Sequence, residues 1–353
     1  MEIQSLCEFS IIDLRGATAY LSSFRRIVCN RHEHRGHYDV VDFVPTQAEV
    51  DALDELDMII ERKDEDDLVE GDESFLISAL KVVPQVKSIN IESQNPFSHS
   101  ILRKVWQEYS LEAFRPQPRR ESQFLKVLHA VRISGLITQH FSHDQLMSTC
   151  FADGALEREH GFTLHDDIST LKSLKLDISD HQGLFSRDGR AVIQLRELLS
   201  ASPVLENLSV NFATLDSISL EFLPTTSAGT LQSLSLFSIT IDPGKLLAFL
   251  EGHASTLKRL QLKFVNIPQG LGSWRGFLED LRETFGHTLE KFQLSGMVRS
   301  VDGDGEQWLL WPRYDQDWIL LENERTPKTE ELENFVLKGG PWPMVADDTF
   351  PFS

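Results

Sequence analysis

The chain has 353 residues, of which 41% are hydrophobic and 25% are charged, as in an ordinary folded globular protein. Its net charge of −20 disfavours nucleic acid as a partner, because phosphate groups require a basic surface. No apolar run approaches the roughly 18 residues that a membrane-spanning helix needs, so no membrane partner is predicted. The start of the chain lacks the basic residue of a secretory signal, and three cysteines without a CxxC pair favour a cytoplasmic or nuclear location.

The negative charge is concentrated in two stretches of the chain. Residues 46–76 contain 13 acidic and 2 basic residues, and residues 301–353 contain 12 acidic and 4 basic residues. The net charges of −11 and −8 account for nearly all of the total, so the sequence between them is close to neutral. Such stretches are typical of solvated loops, and the alternative interpretation is a docking surface for a basic partner.

A short apolar pattern, LxxLxL, recurs along the chain. Its apolar positions in chain order are Val86/Ile89/Ile91, Leu171/Leu174/Leu176, Leu205/Leu208/Val210, Leu231/Leu234/Leu236, Leu257/Leu260/Leu262 and Leu289/Phe292/Leu294. The last two positions of each copy are two residues apart, which is the period of a strand with one buried face. From the second copy onward the starts lie 34, 26, 26 and 32 residues apart. This spacing is close to that of a leucine-rich repeat, roughly 20–29 residues.

The segments between the copies predict helices. In the long gap before Leu171 we expect a helix from Gln123 to Val131, and then a degenerate strand from Gly135 to Phe141 in which Ile137 and either His140 or Phe141 are buried. Three later segments have apolar residues at helical spacing: Ala191 to Pro203, Pro243 to His253 and Trp274 to His287. A strand, a turn and a helix cannot bury their apolar faces alone, so these units stack and their strands run parallel.

The end of the chain predicts a cap for the stacked units. Trp308 to Glu322 is expected to form two short strands, and a helix should begin at Thr326-Pro327 and end at Gly339-Gly340-Pro341. Its inner stripe should be Leu332, Phe335 and Val336. The predicted fold is therefore an α/β, leucine-rich-repeat-like solenoid: a curved parallel sheet with helices on the convex side. The predicted domains are an acidic N-terminal cap (1–75), the solenoid (76–298) and a C-terminal cap (299–353).

The sequence contains no recognisable catalytic motif and predicts no catalytic residue, cofactor or metal ion. His32, His34 and His37 could share a metal ion, but no cysteine is spaced to complete a tetrahedral site. Cys150, near His140 and His143, lacks an activating arrangement and is predicted to be structural. The acidic run 64–67 lacks the glycine and terminal glutamate of a calcium loop.

The strand residues between the buried leucines predict the site. In a parallel solenoid they point to the concave side and are Ser173, Lys175, Asp177, Asn207, Ser209, Asn211, Ser233, Ser235, Phe237, Arg259, Gln261, Lys263, Lys291, Gln293 and Ser295. A solvated sheet face needs no ligand, so a face without a partner is one interpretation. The other is a rigid platform that binds a protein segment, and its predicted contacts are Lys175, Asn207, Asn211, Phe237, Arg259, Gln261, Lys263 and Lys291. Aromatic and arginine anchors carry much interface energy, which points to Phe237 and Arg259.

The chain resembles fungal F-box/leucine-rich-repeat proteins over roughly residues 20–345. The resemblance rests on SFRRIVC (Ser23 to Cys29), on LKSLKLDI and LQSLSLFSI in the repeats, and on ELENFVLKGGPWP (Glu331 to Pro343). It implies a substrate receptor of a cullin-RING ubiquitin ligase, in which three F-box helices dock the ligase adaptor and the repeats hold a protein substrate. The chain departs from the family at its start, because Met1 to Ala17 contains no LPxE motif and too few residues precede SFRRI for three helices.

These observations predict a non-catalytic intracellular module that binds a protein partner on the concave face of its repeats. One alternative is a genuine ubiquitin-ligase receptor with a degenerate F-box in residues 1–75, whose second partner would be the cullin-RING ligase adaptor. Another alternative is a metal-binding protein that uses His32, His34 and His37.

Overall fold

The computed structural model describes only part of the chain. The described residues are 8–12, 47, 51, 54, 58, 72–82, 86–92, 123–151, 168–180, 184–187, 189–213, 218–224, 229–268, 270–300, 307–310 and 327–344. The chain divides into two compact units, Met1–Leu136 and Ile137–Ser353. The domain limits predicted at residues 75 and 298 rest on sequence pattern and stay predictions. None of the helices in the described ranges is long and apolar enough to cross a membrane.

The described part of the first unit includes a parallel strand pair and two helices that pack against each other. Strand β1 (Glu8–Ile12) pairs in parallel with β2 (Ser88–Glu92), and helix α1 (Asp72–Val82) packs against α2 (Gln123–Ser134). The weak copy of the repeated pattern is a strand as predicted, since Val86, Ile89 and Ile91 are all buried. The predicted helix at Gln123 is also confirmed. The strand β1 was not predicted, because its alternation covers too few residues to stand out in the sequence.

The second unit is an α/β structure built on an open, mainly parallel sheet. Its elements are β3 (His140–Met147), β4 (Ser173–Ser179), α3 (Leu184–Arg187), α4 (Arg190–Ser200), β5 (Asn207–Ala213), β6 (Ser233–Phe237), α5 (Pro243–Glu251), β7 (Arg259–Lys263), β8 (Asn266–Ile267), α6 (Trp274–Phe285), β9 (Lys291–Ser300), β10 (Gln307–Leu310) and α7 (Pro327–Lys338). The strand order is β3-β4-β5-β6-β7-β9-β10, with β8 also paired to β9. Among the described strands of this unit, only β10 is antiparallel to its neighbour. Neighbours in sequence are neighbours in space, an arrangement compatible with a solenoid-like fold.

The apolar positions of the repeats form the core, as predicted. Leu174, Leu208, Leu234, Leu260 and Phe292 lie side by side in register, and each is at most 3% exposed. Strand geometry alternates side chains between two faces, so one buried row requires one outward row on the same strands. Helices α4, α5 and α6 also form where they were predicted.

Strand β3 differs from its prediction. We expected it at Gly135 to Phe141 with Ile137 inside, but β3 starts at His140 and Ile137 is 66% exposed. Of the two alternatives, Phe141 is buried and His140 is exposed. The register pairs Phe141 with Leu174 and His143 with Leu176, so the second core position of this strand is a histidine. A pattern based on leucines could not find this copy.

Within the second unit, two rows of side chains connect successive repeats, where a repeat is one strand together with the segment that leads to the next strand. The hydroxyl of Thr170 donates to the carbonyl of Thr138, that of Thr230 to Leu205, and that of Thr256 to Leu231, over 2.8–2.9 Å. Beside them the rings of Phe151, Phe185, Phe212 and Phe222 meet edge to face with centroids 5.1–5.6 Å apart. The threonine bonds join residues 25 to 32 positions apart and so connect successive repeats. The contacts of Phe185 with Phe151 and with Phe212 do the same, whereas Phe212 and Phe222 belong to one repeat.

The strands end in two different ways. Strands β4 and β5 continue for two residues beyond the shared register and bury Ile178 and Phe212. In β6, β7 and β9 the corresponding position has left-handed backbone at Ser238 (φ 55°), Phe264 (φ 53°) and Gly296 (φ 83°). These three residues are linked, because the N–H of Ser238 donates to the carbonyl of Lys263 and that of Phe264 to Ser295. Strands β6 and β7 therefore end at this level, whereas β9 continues to Ser300 and pairs there with β8 and β10.

The C-terminal part of the second unit closes the stack. Strand β10 pairs with the far half of β9, and Leu332, Phe335 and Val336 of α7 are buried as predicted. The Arg282 guanidinium of α6 lies 4.4 Å from the centre of the Phe335 ring, and Trp342 meets that ring at 5.2 Å. The helix ends before two glycines with positive φ, in agreement with the predicted stop. Residues 311–326, including the second predicted strand and the predicted cap Thr326, lie outside the described residues.

Candidate functional site

The side of the second-unit sheet opposite the leucines is the candidate site. We call it the polar face and define it by the five in-register strands β4, β5, β6, β7 and β9. Its outward residues form three cross-strand rows: Ser173, Asn207, Ser233, Arg259 and Lys291; Lys175, Ser209, Ser235, Gln261 and Gln293; and Asp177, Asn211, Phe237, Lys263 and Ser295. All eight predicted contact residues lie on this face. Each of the fifteen is partly or fully exposed.

The middle row contains a chain of side-chain hydrogen bonds. The hydroxyl of Ser235 donates to Oε1 of Gln261 over 3.3 Å, and Nε2 of Gln261 donates to Oε1 of Gln293 over 3.3 Å. These bonds fix the amide groups of Gln261 and Gln293 across three strands. The NH2 group of Gln293, at the end of this row of bonds, can still donate a hydrogen bond. Ser235 and Gln293 were not among the predicted contacts, because a serine or glutamine in the sequence gives no signal of being in such a row.

The β4 and β5 part of the polar face is electrically balanced. Nζ of Lys175 lies 3.8 Å from Oδ2 of Asp177 on the same strand, so the two charges largely cancel. The other residues there are serines and asparagines, which can donate or accept hydrogen bonds. Of the predicted contacts, Lys175 is therefore paired and Asn207 and Asn211 are neutral.

The β7 and β9 part is cationic. Arg259 and Lys291 are directly opposite each other in the register, and Lys263 follows four residues after Arg259 on β7. Nη2 of Arg259 reaches Oδ1 of Asn207 at 3.5 Å, which is the limit of a hydrogen bond. In the part of the chain that the structure describes, none of the three cations has a carboxylate within 4.0 Å.

Phe237 is the one large apolar side chain on the polar face. It lies in the lower row next to Lys263, whose Nζ is 5.8 Å from the centre of the ring. The same ammonium lies 5.8 Å from the ring of Phe264, on the following residue. A cation held over aromatic rings keeps its charge available to a partner and leaves the edge of the Phe237 ring for apolar contact.

The buried histidines belong to the fold. His143 is 4% exposed, and burial lowers its pKa to about 4, so it is neutral at physiological pH. Burial also lowers the pKa of His253, whose Nδ1 accepts the N–H of Leu231 at 3.3 Å. Cys150 is 5% exposed, and the histidine beside it in the prediction, His140, is exposed. This arrangement gives the thiol no exposed, activated position.

A cavity of about 310 Å³ lies between α4, β5 and α5, and it contains His253 in its wall. The hydroxyls of Ser200, Ser202 and Thr230 line it, but each donates to a backbone carbonyl of the fold. Ser202 and Thr230 thus join successive repeats, Ser200 bonds within its own helix, and we assign no chemistry to the cavity.

The structure does not bear on the other predicted sites. His32, His34 and His37 and the acidic run 64–67 lie outside the described residues. Within the ranges that are described, no group of three or more His, Cys, Asp or Glu side chains could hold a metal ion. The polar face is thus the candidate that the geometry assembles. No family model, curated protein or solved structure shows a significant match to this chain, so its function is argued from its own residues.

Proposed function

We propose that this chain is a non-catalytic protein-recognition module, built as a leucine-rich-repeat-like solenoid, that binds a protein partner on its polar face. The observation that carries the proposal is the continuous register of five parallel strands. It puts fifteen mostly polar side chains on one side of one sheet while the leucines fill the other side.

Three features support the leucine-rich-repeat class. The strands follow one another in chain order with 26 to 34 residues from copy to copy. The carbonyls of Lys172, Glu206, Gln232 and Lys258 each accept two N–H groups from the next unit, at 2.7–3.0 Å. Threonine hydroxyls recur at the residue before the first apolar position of successive copies and bond back to the preceding repeat. Stacked repeats of this kind commonly act as extended binding surfaces.

The polar face suits a protein segment better than a small molecule. Small ligands bind in enclosed, mostly apolar pockets, whereas this face is an open array of hydroxyls, amides and charges that spans five strands. Arg259 and Phe237 supply the anchor types that dominate protein interfaces.

The test compares partner affinity between face variants and matched controls. Proteins retained by the full chain are identified and purified, and their affinity is measured for Arg259→Glu and Phe237→Ala. Loss of an interface anchor costs more than about 1 kcal/mol, so each variant should bind at least about fivefold more weakly. The melting temperature of Arg259→Glu should not fall, because Arg259 is exposed and substitutions at exposed positions alter stability by only about 0.5 kcal/mol.

Two controls lie away from the polar face. Lys338→Glu makes the same kind of charge reversal at an exposed position of α7, and Ile193→Ala removes an exposed apolar side chain from α4. Both should bind the partner normally. If Arg259→Glu and Phe237→Ala bind as tightly as the controls, the polar face is not the recognition surface.

The family resemblance supports a more specific version of the proposal, in which the protein partner is a substrate of a cullin-RING ubiquitin ligase. That version needs a second docking surface for the ligase adaptor, which we place in residues 1–75. Stoichiometric binding of the purified adaptor to the full chain would support it. Absence of such binding would leave a recognition module without a ligase role.

A further inference from the structure

Three cations of the polar face lie together without an acidic neighbour. Elsewhere in the second unit Lys172, Lys245, Lys258, Arg275 and Lys328 each lie within 4.0 Å of a carboxylate, whereas Arg196 and Arg282 donate to backbone carbonyls. Arg259, Lys263 and Lys291 have no carboxylate within 4.0 Å among the described residues. Their distinguishing feature is that all three lie on one face of two adjacent strands, where their charges add.

Arg259 and Lys291 also repel each other. They are directly opposite on neighbouring parallel strands, which lie roughly 4.8 Å apart. Like charges in this position destabilise a sheet, and the hydrogen bond from Arg259 to the neutral Asn207 does not neutralise them. An anion bound between the two side chains would replace this repulsion with two attractions.

The position of Lys263, the third cation, fixes the distance between the two ends of the cationic group. Arg259 and Lys263 are four residues apart on β7, a separation of roughly 13 Å at 3.3 Å per residue. The amides of Gln261 and Gln293 lie between them, and Phe237 borders Lys263. Residues i and i+4 of an extended peptide have the same spacing and point to the same side. The intervening backbone would pass over the fixed amides.

We propose that the polar face binds an extended acidic protein segment, in which carboxylates at positions i and i+4 reach the Arg259–Lys291 pair and Lys263. This inference rests on the proposed function and adds the chemistry of the partner. Nucleic acid fits less well, because its phosphates would meet three cations on a chain whose net charge is −20.

The experiment selects partners without assuming their identity. A display library of random peptides is selected on the full chain, and the recovered peptides are synthesised with a fluorescent label for anisotropy titrations. The selected sequences should be enriched in Asp and Glu, with pairs four residues apart. Their affinity should fall when NaCl is raised from about 0.05 to about 0.5 M, because exposed charge pairs are screened by salt.

The decisive variant is the triple charge reversal Arg259→Glu, Lys263→Glu and Lys291→Glu. It should lower the affinity for the acidic peptides by at least about tenfold, since each attraction between opposite charges becomes a repulsion. The matched control reverses Lys245, Arg275 and Lys338 to Glu, which makes the same change in net charge on three helices. The affinity of that control for the peptides should be within about twofold of the unmodified chain, because salt screens the interactions between distant charges.

The outcomes separate this inference from the proposed function. Selected peptides without an acidic excess that lose affinity on Phe237→Ala but tolerate the triple reversal would overturn the acidic partner and leave the polar face as a recognition site. Acidic peptides that bind the triple reversal as tightly as the unmodified chain would overturn the assigned site. A single-stranded RNA that binds more tightly than the selected peptides, and is lost on the triple reversal, would assign the cations to nucleic acid instead.

Discussion

Strands β3, β4 and β5 and strands β6, β7 and β9 belong to one sheet in the second unit, yet they solve the same packing problem differently. The earlier group has His143 in a core position and a register shift in β3, and its strands β4 and β5 continue past the shared register. The later group has Leu or Phe at its core positions and left-handed residues at the end of the shared register. On the polar face β4 and β5 are electrically balanced, whereas β7 and β9 are cationic. A repeat thus fixes the buried row and leaves the ends and the outward row free to vary.

The largest effect is expected from a substitution in the core of the later group. Leu262 on β7 is fully buried between Leu236 and Leu294, so Leu262→Ala removes its contacts and leaves a cavity. We expect a loss of about 4 kcal/mol in the free energy of unfolding, measured by urea denaturation. The control Ile193→Ala, at an exposed position of α4, should cost less than about 1 kcal/mol. Equal effects of the two substitutions would contradict the buried row.

The next effect concerns His143 in the earlier group. Its pKa is lowered by burial from 6.5 in the unfolded chain to about 4 in the fold, so the unfolded state binds the proton more tightly. The contribution of neutral His143 to stability is therefore complete above about pH 6.5, is lost as the pH falls from about 6.5 to about 4, and changes little below that, by about 3 kcal/mol in total. The measurement is the free energy of unfolding between pH 7 and pH 4.

The variant His143→Leu isolates this contribution from the many carboxylates that titrate in the same range. It restores the residue type of the matching position Leu176 and should remove the part of the pH dependence that belongs to His143. The unmodified chain should lose more stability than the variant on acidification. Parallel curves for the two proteins would mean that His143 is not held neutral by burial.

The smallest effect tests the turn that distinguishes the later group. Gly296 has φ 83°, and a Cβ added there would lie 2.8 Å from the Phe264 ring. Gly296→Ala should therefore cost about 2 kcal/mol, from the left-handed backbone and from displacement of that ring. The control is Gly135→Ala, where φ is also positive but nothing lies within 4 Å of the added atom. A cost no larger than that of the control would show that the ring contact is unimportant.

The buried residues of the fold were largely predictable because the apolar residues recur with the period of a strand or of a helix. Leu234 and Leu236, or Leu260 and Leu262, specify a strand with one buried face whatever surrounds them. The helices were equally clear, because Trp274 to Phe285 combines a stripe of apolar residues with a glycine after its last turn. The prediction failed at β3, where Phe141 and His143 replace the leucines and the exposed Ile137 was mistaken for a core residue.

The site was predictable only as a set of outward positions. Alternation alone assigned Phe237, Arg259 and Lys263 to one face, but it gave no indication of which side chains are paired. The salt bridge of Lys175 with Asp177 and the hydrogen bonds that join Ser235, Gln261 and Gln293 depend on the register between strands that are distant in sequence.

The sequence by itself determined the buried row, the helices between strands and the outward character of fifteen side chains, because these depend on spacing within a few residues. Tertiary structure decided that Arg259 meets Lys291, that Lys263 lies over Phe237, and that a histidine occupies a leucine position in β3. The residues in each of these pairs are 26 to 33 positions apart in the chain. Only the alignment of one strand against the next brings them within reach.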